Sequence, residues 1–398
     1  MLWCFHNPNS TQNLVMTSRP VILIAPDKWK GSLSVFEVCD VLEEAARKAF
    51  PHAVILLRPL ADGGDGFAAV VKHYLHTQTI KCPAENPLGR PLNAAYEWDP
   101  ETKTAYIELA SAAGLMRLQP GERDPLRTHT RGVGLLAKHA LKKGASRLLI
   151  GLGGSATNDG GMGFLSAFGM RFEDAAGKPL APCGANLAGI AKIHVPHGLP
   201  KIEVKLLTDV QNRLTGQTGA ARVYAPQKGA GPEVVELLEN GLIHWAKILQ
   251  TFHGKNLAAV AGTGAAGGFP AGLLTFFNTH LLNGFTWIAK LSGLEKQMKS
   301  ASLVITGEGK TDEQSFMGKP VGEIARLAAD AHKPCFVFCG KNEIKENPDK
   351  RIRIYSLTAH FADRKDHETD ARQLLKEMAG KAFNDAEFFP GRTNQSTG

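Results

Sequence analysis

The sequence predicts an α/β fold made of two α/β domains, and three observations support that prediction. Short apolar runs alternate with segments whose apolar residues recur at helical spacing. Polar, glycine-rich segments follow several of the apolar runs, as loops do at the carboxyl ends of parallel strands. The chain has 398 residues, and chains beyond about 250–300 residues generally divide into domains. We therefore expect mostly parallel sheets, with ligands bound beyond the carboxyl ends of their strands.

The composition fits a folded cytoplasmic enzyme. Hydrophobic residues make up 43% of the chain, the formal net charge is +8, and aromatic residues are only 7%. The basic residues are scattered, which argues against a nucleic-acid partner, and a mild positive charge suits small anions. The six cysteines include no C-x-x-C pair and are typical of reduced thiols.

No membrane partner is expected, because no apolar run reaches the ~18 residues of a membrane span. The first residues lack the apolar core of a signal peptide. We expect residues 1–18 and 385–398 to be flexible tails and the protein to be a monomer or homodimer.

The first strand and helix are predicted around an anion site. An apolar strand covers Val21 to Pro26, and Ser34 with Glu37 forms a capping box that starts a helix ending at Pro51. The loop D-K-W-K-G-S places Lys30 just before the helix, where an ammonium and backbone amides together hold anions. A solvated basic loop is the alternative.

Two aspartates follow the next strand, Val54 to Pro59. The loop A-D-G-G-D-G contains Asp62 and Asp65, and carboxylates at a strand's carboxyl end suit Mg²⁺ or a substrate hydroxyl. Asx turns are the alternative interpretation, since Asp-Gly is a common turn pair.

The most glycine-rich segment, residues 148–163, reads L-L-I-G-L-G-G-S-A-T-N-D-G-G-M-G. A strand is predicted at 148–150, after an earlier strand at 105–110 and a helix inside 128–144. Glycines admit close backbone approach, and consecutive amides bind anions, so we expect a ligand here. Asp159 would face a metal ion or a substrate hydroxyl. Two alternatives remain: a tight turn without a ligand, and a dinucleotide loop using Gly151, Gly153 and Ala156 with Glu173 about 20 residues later.

Further polar loops follow later strands. The strand Ile202 to Leu207 leads into T-D-V-Q-N, and residues 224–229 bring Gln227 and Lys228 into a loop flanked by proline and glycine. Residues 262–268 match G-x-G-x-x-G without a strong preceding strand, so a chain turning against another backbone is an equal alternative.

The last third predicts strands at 302–306, 336–338 and 352–357, with helices from Val321 and over 371–383. After the first of these strands comes G-E-G-K-T-D-E-Q. Its G-K-T does not belong to a Walker motif, because the first glycine of that motif would fall at the position of Val304.

Taken together, seven motifs resemble the bacterial glycerate kinase family, in the family's order: I-A-P-D-K-W-K-G-S, L-A-D-G-G-D-G, I-E-L-A-S-A-A-G-L, G-L-G-G-S-A-T-N-D-G-G, P-Q-K-G-A, G-T-G-A-A-G-G and I-T-G-E-G-K-T-D-E-Q-S. The resemblance implies phosphorylation of D-glycerate by ATP with Mg²⁺, with 2-phosphoglycerate as the usual product. It also implies a Rossmann-like domain built from both chain ends (19–66 plus 295–384), an inserted domain (67–294) and an active-site cleft between them.

The chain departs from the family pattern in three loops. Arg213 and Gln217 stand where the family has prolines, Asp65 replaces a glutamate, and Lys28 and Trp29 alter the first loop. Because Asp209 and Asn212 remain, we expect activity, with altered loop rigidity and substrate preference near Arg213.

The resemblance and the loop chemistry together give a candidate site. Phosphoryl transfer requires positioning and neutralisation of charge, with one carboxylate as base; the sequence does not show which. Binding loops on two domains also suggest closure that excludes water. The candidate catalytic residues are Lys30, Asp62, Asp65, Asp159 and Asp312; the substrate-binding residues are Ser155, Asn158, Asp209, Gln227 and Lys228; the nucleotide-binding residues are Gly153, Gly154, Gly307, Glu308, Gly309 and Lys319; the metal ligands are Asp62, Asp65 and Asp312. A dinucleotide-dependent oxidoreductase and a non-catalytic small-anion sensor are the alternatives.

Overall fold

The computed structural model describes residues 19–384 apart from 317, 346, 348 and 363–369. The predicted tails, 1–18 and 385–398, lie outside the described residues. Two large sheets with helices packed on them confirm the predicted α/β class. Among the described helices, none combines the length and apolarity needed to cross a membrane.

The first large sheet is wholly parallel and joins strands from both ends of the chain. Its order is β13-β12-β11-β1-β2. The strands are β1 (Val21–Ile24), β2 (Val54–Leu57), β11 (Leu303–Thr311), β12 (Cys335–Asn342) and β13 (Ile352–Ser356).

The second large sheet comes from the middle of the chain and is mixed. Its order is β10-β9-β6-β5-β4-β3, parallel from β10 to β5 and antiparallel at β4. The strands are β3 (Gln78–Glu85), β4 (Pro91–Asp99), β5 (Thr104–Glu108), β6 (Arg147–Gly151), β9 (Glu203–Leu207) and β10 (Asn278–Leu282). A separate antiparallel pair is formed by β7 (Arg171–Glu173) and β8 (Lys192–His194).

The helices connect and cover these strands. They are α1 (Val35–Ala49), α2 (Phe67–Leu75), α3 (Ala110–Ala113), α4 (Arg131–Lys142), α5 (Met162–Ala167), α6 (Ala220–Tyr224), α7 (Pro232–His253), α8 (Phe269–Phe276), α9 (Gly284–Ser292), α10 (Leu294–Ser300), α11 (Pro320–Asp330), α12 (Leu357–His360) and α13 (Ala371–Asn384). The predicted capping box is confirmed, since Ser34 and Glu37 bond reciprocally at the start of α1.

The structure differs from the predictions at several elements. The strand predicted at 302–306 continues to Thr311, because β12 pairs with it as far as Asn342. The hairpin of β3 and β4 and the long helix α7 were not predicted. In the hairpin, one face of β3 is largely exposed and polar residues interrupt both strands, so the continuous apolar run that marked the parallel strands is missing.

The two large sheets share a hydrophobic core. One buried cluster contains Leu23 and Val304 from the first sheet together with Tyr106, Leu149 and Leu207 from the second. Because these side chains pack in a single cluster, the loops at the ends of both sheets lie close together. This packing brings the glycine-rich loops together.

Candidate active site

A cavity of ≈ 500 Å³ is lined by segments that follow strands of both large sheets. Ligands in open α/β sheets bind beyond the carboxyl ends of the strands, and this cavity has that position. The predicted site residues that line it are Lys30, Asp62, Gly153, Gly154, Ser155, Asp209, Gln227, Lys228 and Lys319. Another cavity, of ≈ 550 Å³ near β10, is lined by none of the predicted site residues.

The glycines of the loop after β6 allow a close approach between backbones of the two sheets. A Cβ atom on Gly153 would lie 2.3 Å from the Cα of Gly64, and one on Gly151 would lie 2.3 Å from the carbonyl oxygen of Gly63. The Gly153 N–H also donates to the Gly63 carbonyl at 3.2 Å. Side chains at these positions would force the two loops apart, so the glycines set the shape of one cavity wall.

The second G-x-G-x-x-G match also packs backbone against backbone. A Cβ on Gly267 would lie 2.1 Å from the carbonyl oxygen of Thr157, and the Gly160 N–H donates to the Gly267 carbonyl at 3.0 Å. This is the alternative considered for residues 262–268, a chain turning against another backbone.

Lys228 is a buried lysine that supports the floor of the cavity. Its Nζ donates to the Ser155 hydroxyl at 2.9 Å and to the Thr157 carbonyl at 2.7 Å. Burial lowers the pKa of Lys228 to about 7, and the charge of Asp159 opposes that shift. A third N–H of the ammonium group has neither of these partners, so an anionic ligand would find a donor there.

An acidic pair with a lysine lies at the ends of β1 and β2. The Lys28 Nζ is 3.8 Å from Asp27 and 3.6 Å from Asp62. Burial raises the pKa of Asp27 to about 6, although the Lys28 charge opposes it. Burial would also raise the pKa of Asp62, but Lys28 and the Gly64 N–H outweigh it and hold that pKa below its usual value.

Asp209, which follows β9, has one occupied and one free carboxylate oxygen. Its Oδ1 accepts from the Asn283 amide at 2.7 Å and from the Phe285 N–H at 3.1 Å. Its Oδ2 is buried and has no hydrogen-bond partner among the described residues. Burial raises the pKa of Asp209 to about 7, and the nearby Asp62 adds to the shift.

Asp159 is placed differently from the prediction, because it does not line the cavity. It is 0% exposed, and its carboxylate accepts from the backbone N–H groups of Thr130, Gly161 and Gly163 and from the Thr130 hydroxyl at 2.7–3.1 Å. Four donors bond to this buried carboxylate, three of them on Oδ2, so Asp159 offers no cavity-facing oxygen to a metal or hydroxyl. We therefore interpret it as the residue that organises this loop.

Asn158 also lies behind the cavity wall. It is 0% exposed, and neither its Oδ1 nor its Nδ2 has a partner within the described part of the chain. The neighbouring Thr157 hydroxyl is likewise buried and unpartnered among those residues. Buried polar atoms of this kind are usually satisfied by water or a ligand.

The remaining predicted residues lie around the cavity without lining it. Asp65 is half-buried in the loop after β2, and Asp312 caps the short turn Glu313–Phe316 through the Ser315 N–H at 3.2 Å. Both lysines near Asp312 are within ion-pair distance, Lys310 at 3.6 Å and Lys319 at 3.9 Å.

Two of the predicted nucleotide-binding glycines, Gly307 and Gly309, belong to β11. Gly307 pairs with Phe338 of β12, and a Cβ on Gly309 would lie 3.1 Å from the backbone nitrogen of Lys30. Between them, Glu308 is 8% exposed and its Oε1 has no partner among the residues described. Burial raises the pKa of Glu308 to about 7.

No group of three or more His, Cys, Asp or Glu side chains in the described chain is arranged to hold a metal ion. The Asp62 carboxylate nevertheless lines the cavity. Mg²⁺ in kinases is usually bound by one or two carboxylates plus substrate phosphates, so a complete protein cage is not required.

Sequence reasoning missed two residues of the site region, namely Asp27 and Asn283. Asp27 stood inside a loop already singled out, and its position after a strand was the available signal. Asn283 lay beyond such reasoning, because its contact with Asp209 spans 74 residues.

Comparisons with known proteins agree on one family. The model of the glycerate kinase family matches residues 22–386. The glycerate kinase of Haemophilus influenzae is 40% identical over 322 residues, covering 80% of this chain and 85% of that protein. The glycerate 2-kinase of Escherichia coli K12 is 38% identical over 323 residues, covering 80% and 84%. A crystal structure from Salmonella typhimurium LT2, assigned as glycerate kinase 2, superposes with TM-score 0.74 at 34% identity, covering 92% of this chain and 98% of the other.

Proposed function

The chain belongs to the glycerate kinase family, and from that premise we propose that it transfers the γ-phosphoryl group of ATP to D-glycerate, giving 2-phosphoglycerate. The observation that carries the proposal is the shared cavity. Lysines, aspartates and glycine loops from both sheets line it together. Phosphoryl transfer depends on positioning and neutralisation of charge, and this set of groups supplies both.

The phosphates of ATP are proposed to lie between Lys30 and Lys319. Lys30 precedes α1 and Lys319 is the N-cap residue of α11, and both line the cavity. Helix N-termini favour anions, and an ammonium group adds a full positive charge. Gly153 and Gly154 line the same space.

The carboxylate of glycerate is proposed to bind beside Lys228. The ammonium group is buried with Ser155, while Gln227 lines the cavity next to it. An anion arriving at a lysine whose pKa is about 7 favours the protonated form of that lysine. Lys228 would thus become fully charged when the substrate binds.

Mg²⁺ is proposed to bind through Asp62, with Asp65 and Asp312 as further candidate ligands, and to neutralise phosphate charge when bound. Asp62 lines the cavity, and its pKa is held below the usual value. It is therefore ionised at neutral pH, as a cation ligand must be.

The division into a 19–66 plus 295–384 domain and a 67–294 domain remains part of the proposal. Each proposed domain contains one of the two large sheets. A cavity lined from both sheets could close by a relative movement of the two, which would exclude water before transfer.

The geometry gives less support to the oxidoreductase alternative. Glu173, the residue that would hold a ribose, lies on β7 and pairs with His194 at 2.8 Å. Gly151 packs against Gly63 and leaves no room there for a pyrophosphate. A protein that only senses small anions would have the same cavity. Only a measurement of turnover distinguishes such a sensor from a kinase.

The test is direct. The protein is incubated with ATP, Mg²⁺ and D-glycerate, and the product is identified by ³¹P NMR, with NADH binding measured in parallel. Formation of 2-phosphoglycerate is expected. Binding without turnover would favour the sensor, 3-phosphoglycerate would overturn the proposed product, and tight NADH binding without kinase turnover would favour the oxidoreductase.

A further inference from the structure

We propose that Asp209 is the general base of the phosphoryl transfer and that Asn283 is the positioning residue that leaves one oxygen of its carboxylate free for the substrate. This inference rests on the proposed function and names the group that the sequence left open. Among the candidate carboxylates, Asp209 combines a place on the cavity wall with an unpartnered oxygen.

The two oxygens of Asp209 have different surroundings. Asn283 and the Phe285 N–H both donate to Oδ1, at 2.7 and 3.1 Å. Oδ2 is buried and has no partner within the described residues. A buried carboxylate oxygen without a donor is costly, so a hydroxyl group that enters the cavity gains a strong hydrogen bond there.

Asn283 is itself fixed by the start of α9. Its Oδ1 accepts from the Thr286 N–H at 2.7 Å and from the Thr286 hydroxyl at 2.6 Å. Because both acceptor contacts lie on the oxygen, the amide nitrogen is oriented toward Asp209. The helix start therefore sets the orientation of the carboxylate.

The other acidic residues are less suited to accept the proton. Asp159 already accepts from four donors and lies outside the cavity lining. Asp62 lines the cavity but is paired with Lys28 at 3.6 Å, which weakens it as a base. Burial raises the pKa of Asp209 to about 7, close to the value that favours proton transfer at neutral pH.

The step is balanced as follows. The hydroxyl oxygen of glycerate forms a bond to the γ-phosphorus of ATP, and the bond from that phosphorus to the bridging oxygen breaks, so that the electron pair leaves on ADP. The hydroxyl proton passes to Asp209 Oδ2 and is later lost to water. Asn283 and the Phe285 N–H hold Oδ1, so Oδ2 is the oxygen left to accept the proton.

The experiment compares wild type, Asp209→Asn, Asn283→Ser and Thr286→Val, each checked for folding by thermal unfolding. Serine at position 283 keeps an N-cap acceptor for α9 but is too short to hold the carboxylate. Valine at position 286 removes a hydroxyl contact to Asn283 and leaves the amide on Asp209, so it is the matched control.

We expect Asp209→Asn to lower kcat by about 10²–10⁴-fold while the KM values for ATP and glycerate stay within about threefold. Asn283→Ser should lower kcat by about tenfold through misplacement of the base, and Thr286→Val should stay within about twofold. If Asp209→Asn does not fold, the kcat of Asn283→Ser still tests the inference independently.

Three results would overturn the inference or its premise. Wild-type kcat in Asp209→Asn, or a loss confined to KM, would remove Asp209 as base while leaving the kinase proposal intact. Equal losses in Asn283→Ser and Thr286→Val would make Asn283 a helix cap only. Absence of phosphoglycerate with wild type would overturn the proposed function, and this inference with it.

Discussion

Two carboxylates that follow neighbouring parallel strands, Asp159 after β6 and Asp209 after β9, have opposite surroundings. The loop of Asp159 closes around it and supplies four hydrogen-bond donors. The loop of Asp209 leaves one oxygen unpartnered among the described residues, beside the cavity. A satisfied carboxylate holds a loop in shape, whereas an unsatisfied one is poised to bind or accept a proton.

The comparison also shows what the glycines of the first loop do. The glycines of the first loop contact other backbones, including Gly63 and Gly64, at distances that exclude a Cβ. Much of the glycine pattern therefore serves packing between loops, and the less glycine-rich segment 208–212 also lines the cavity. Substitutions in the two loops should separate stability from catalysis.

The largest effect on stability is expected from Gly153→Ala. The new Cβ would lie 2.3 Å from the Cα of Gly64 and 3.0 Å from its nitrogen, and backbone atoms cannot move aside cheaply. We expect a loss of about 4 kcal/mol or more in the free energy of unfolding, measured by urea denaturation. Gly121→Ala is the control, since nothing lies within 4 Å of a Cβ there. Equal stability of the two variants would contradict the packing role.

Asp159→Asn should have the next largest effect on the free energy of unfolding. The amide nitrogen of asparagine would face N–H donors that now bond to a carboxylate oxygen, so at least one buried donor would lose its acceptor. We expect a loss of about 3 kcal/mol, with kcat per folded molecule within about threefold of wild type. Asp174→Asn is the control, because its two contacts use only Oδ1. A hundredfold loss of kcat in the folded Asp159 variant would restore this residue to the catalytic set.

The strands and loops could be predicted from the sequence because their signals are local. Apolar runs such as 148–150 lie within β6, and the capping box at Ser34 formed as expected. The roles of individual aspartates could not be predicted, because the groups that donate hydrogen bonds to them lie far away in the sequence. Thr130 reaches Asp159 across 29 residues and Asn283 reaches Asp209 across 74. Which oxygen remains free is thus decided by tertiary packing.

Lys228 bonds to Ser155 and Thr157 in the loop that contains Asp159, and it also lines the cavity. Its burial predicts that the free energy of unfolding depends on pH. Its pKa falls from 10.5 to about 7 on folding. Between these values the unfolded state binds the additional proton, so stability due to this group rises with pH. Relative to Lys228→Met, wild type should gain about 2 kcal/mol between pH 7.5 and 9, measured by urea denaturation at both pH values. A constant difference between the two proteins would show that the lysine stays charged when folded.

Thr130→Val should have the smallest effect on the free energy of unfolding. It tests how much one hydroxyl donor contributes to holding the Asp159 carboxylate. The Thr130 hydroxyl donates to Asp159 Oδ2 at 2.8 Å and accepts from the Phe164 N–H at 2.9 Å. Valine keeps the shape and the backbone donor but removes both hydroxyl contacts, so we expect a loss of about 2 kcal/mol in the free energy of unfolding. Thr275→Val is the control, because its hydroxyl only bonds back to the Ala271 carbonyl within α8. If the two variants lost equal stability, the hydroxyl would add nothing to Asp159, and three backbone donors would be enough to hold this carboxylate in the loop.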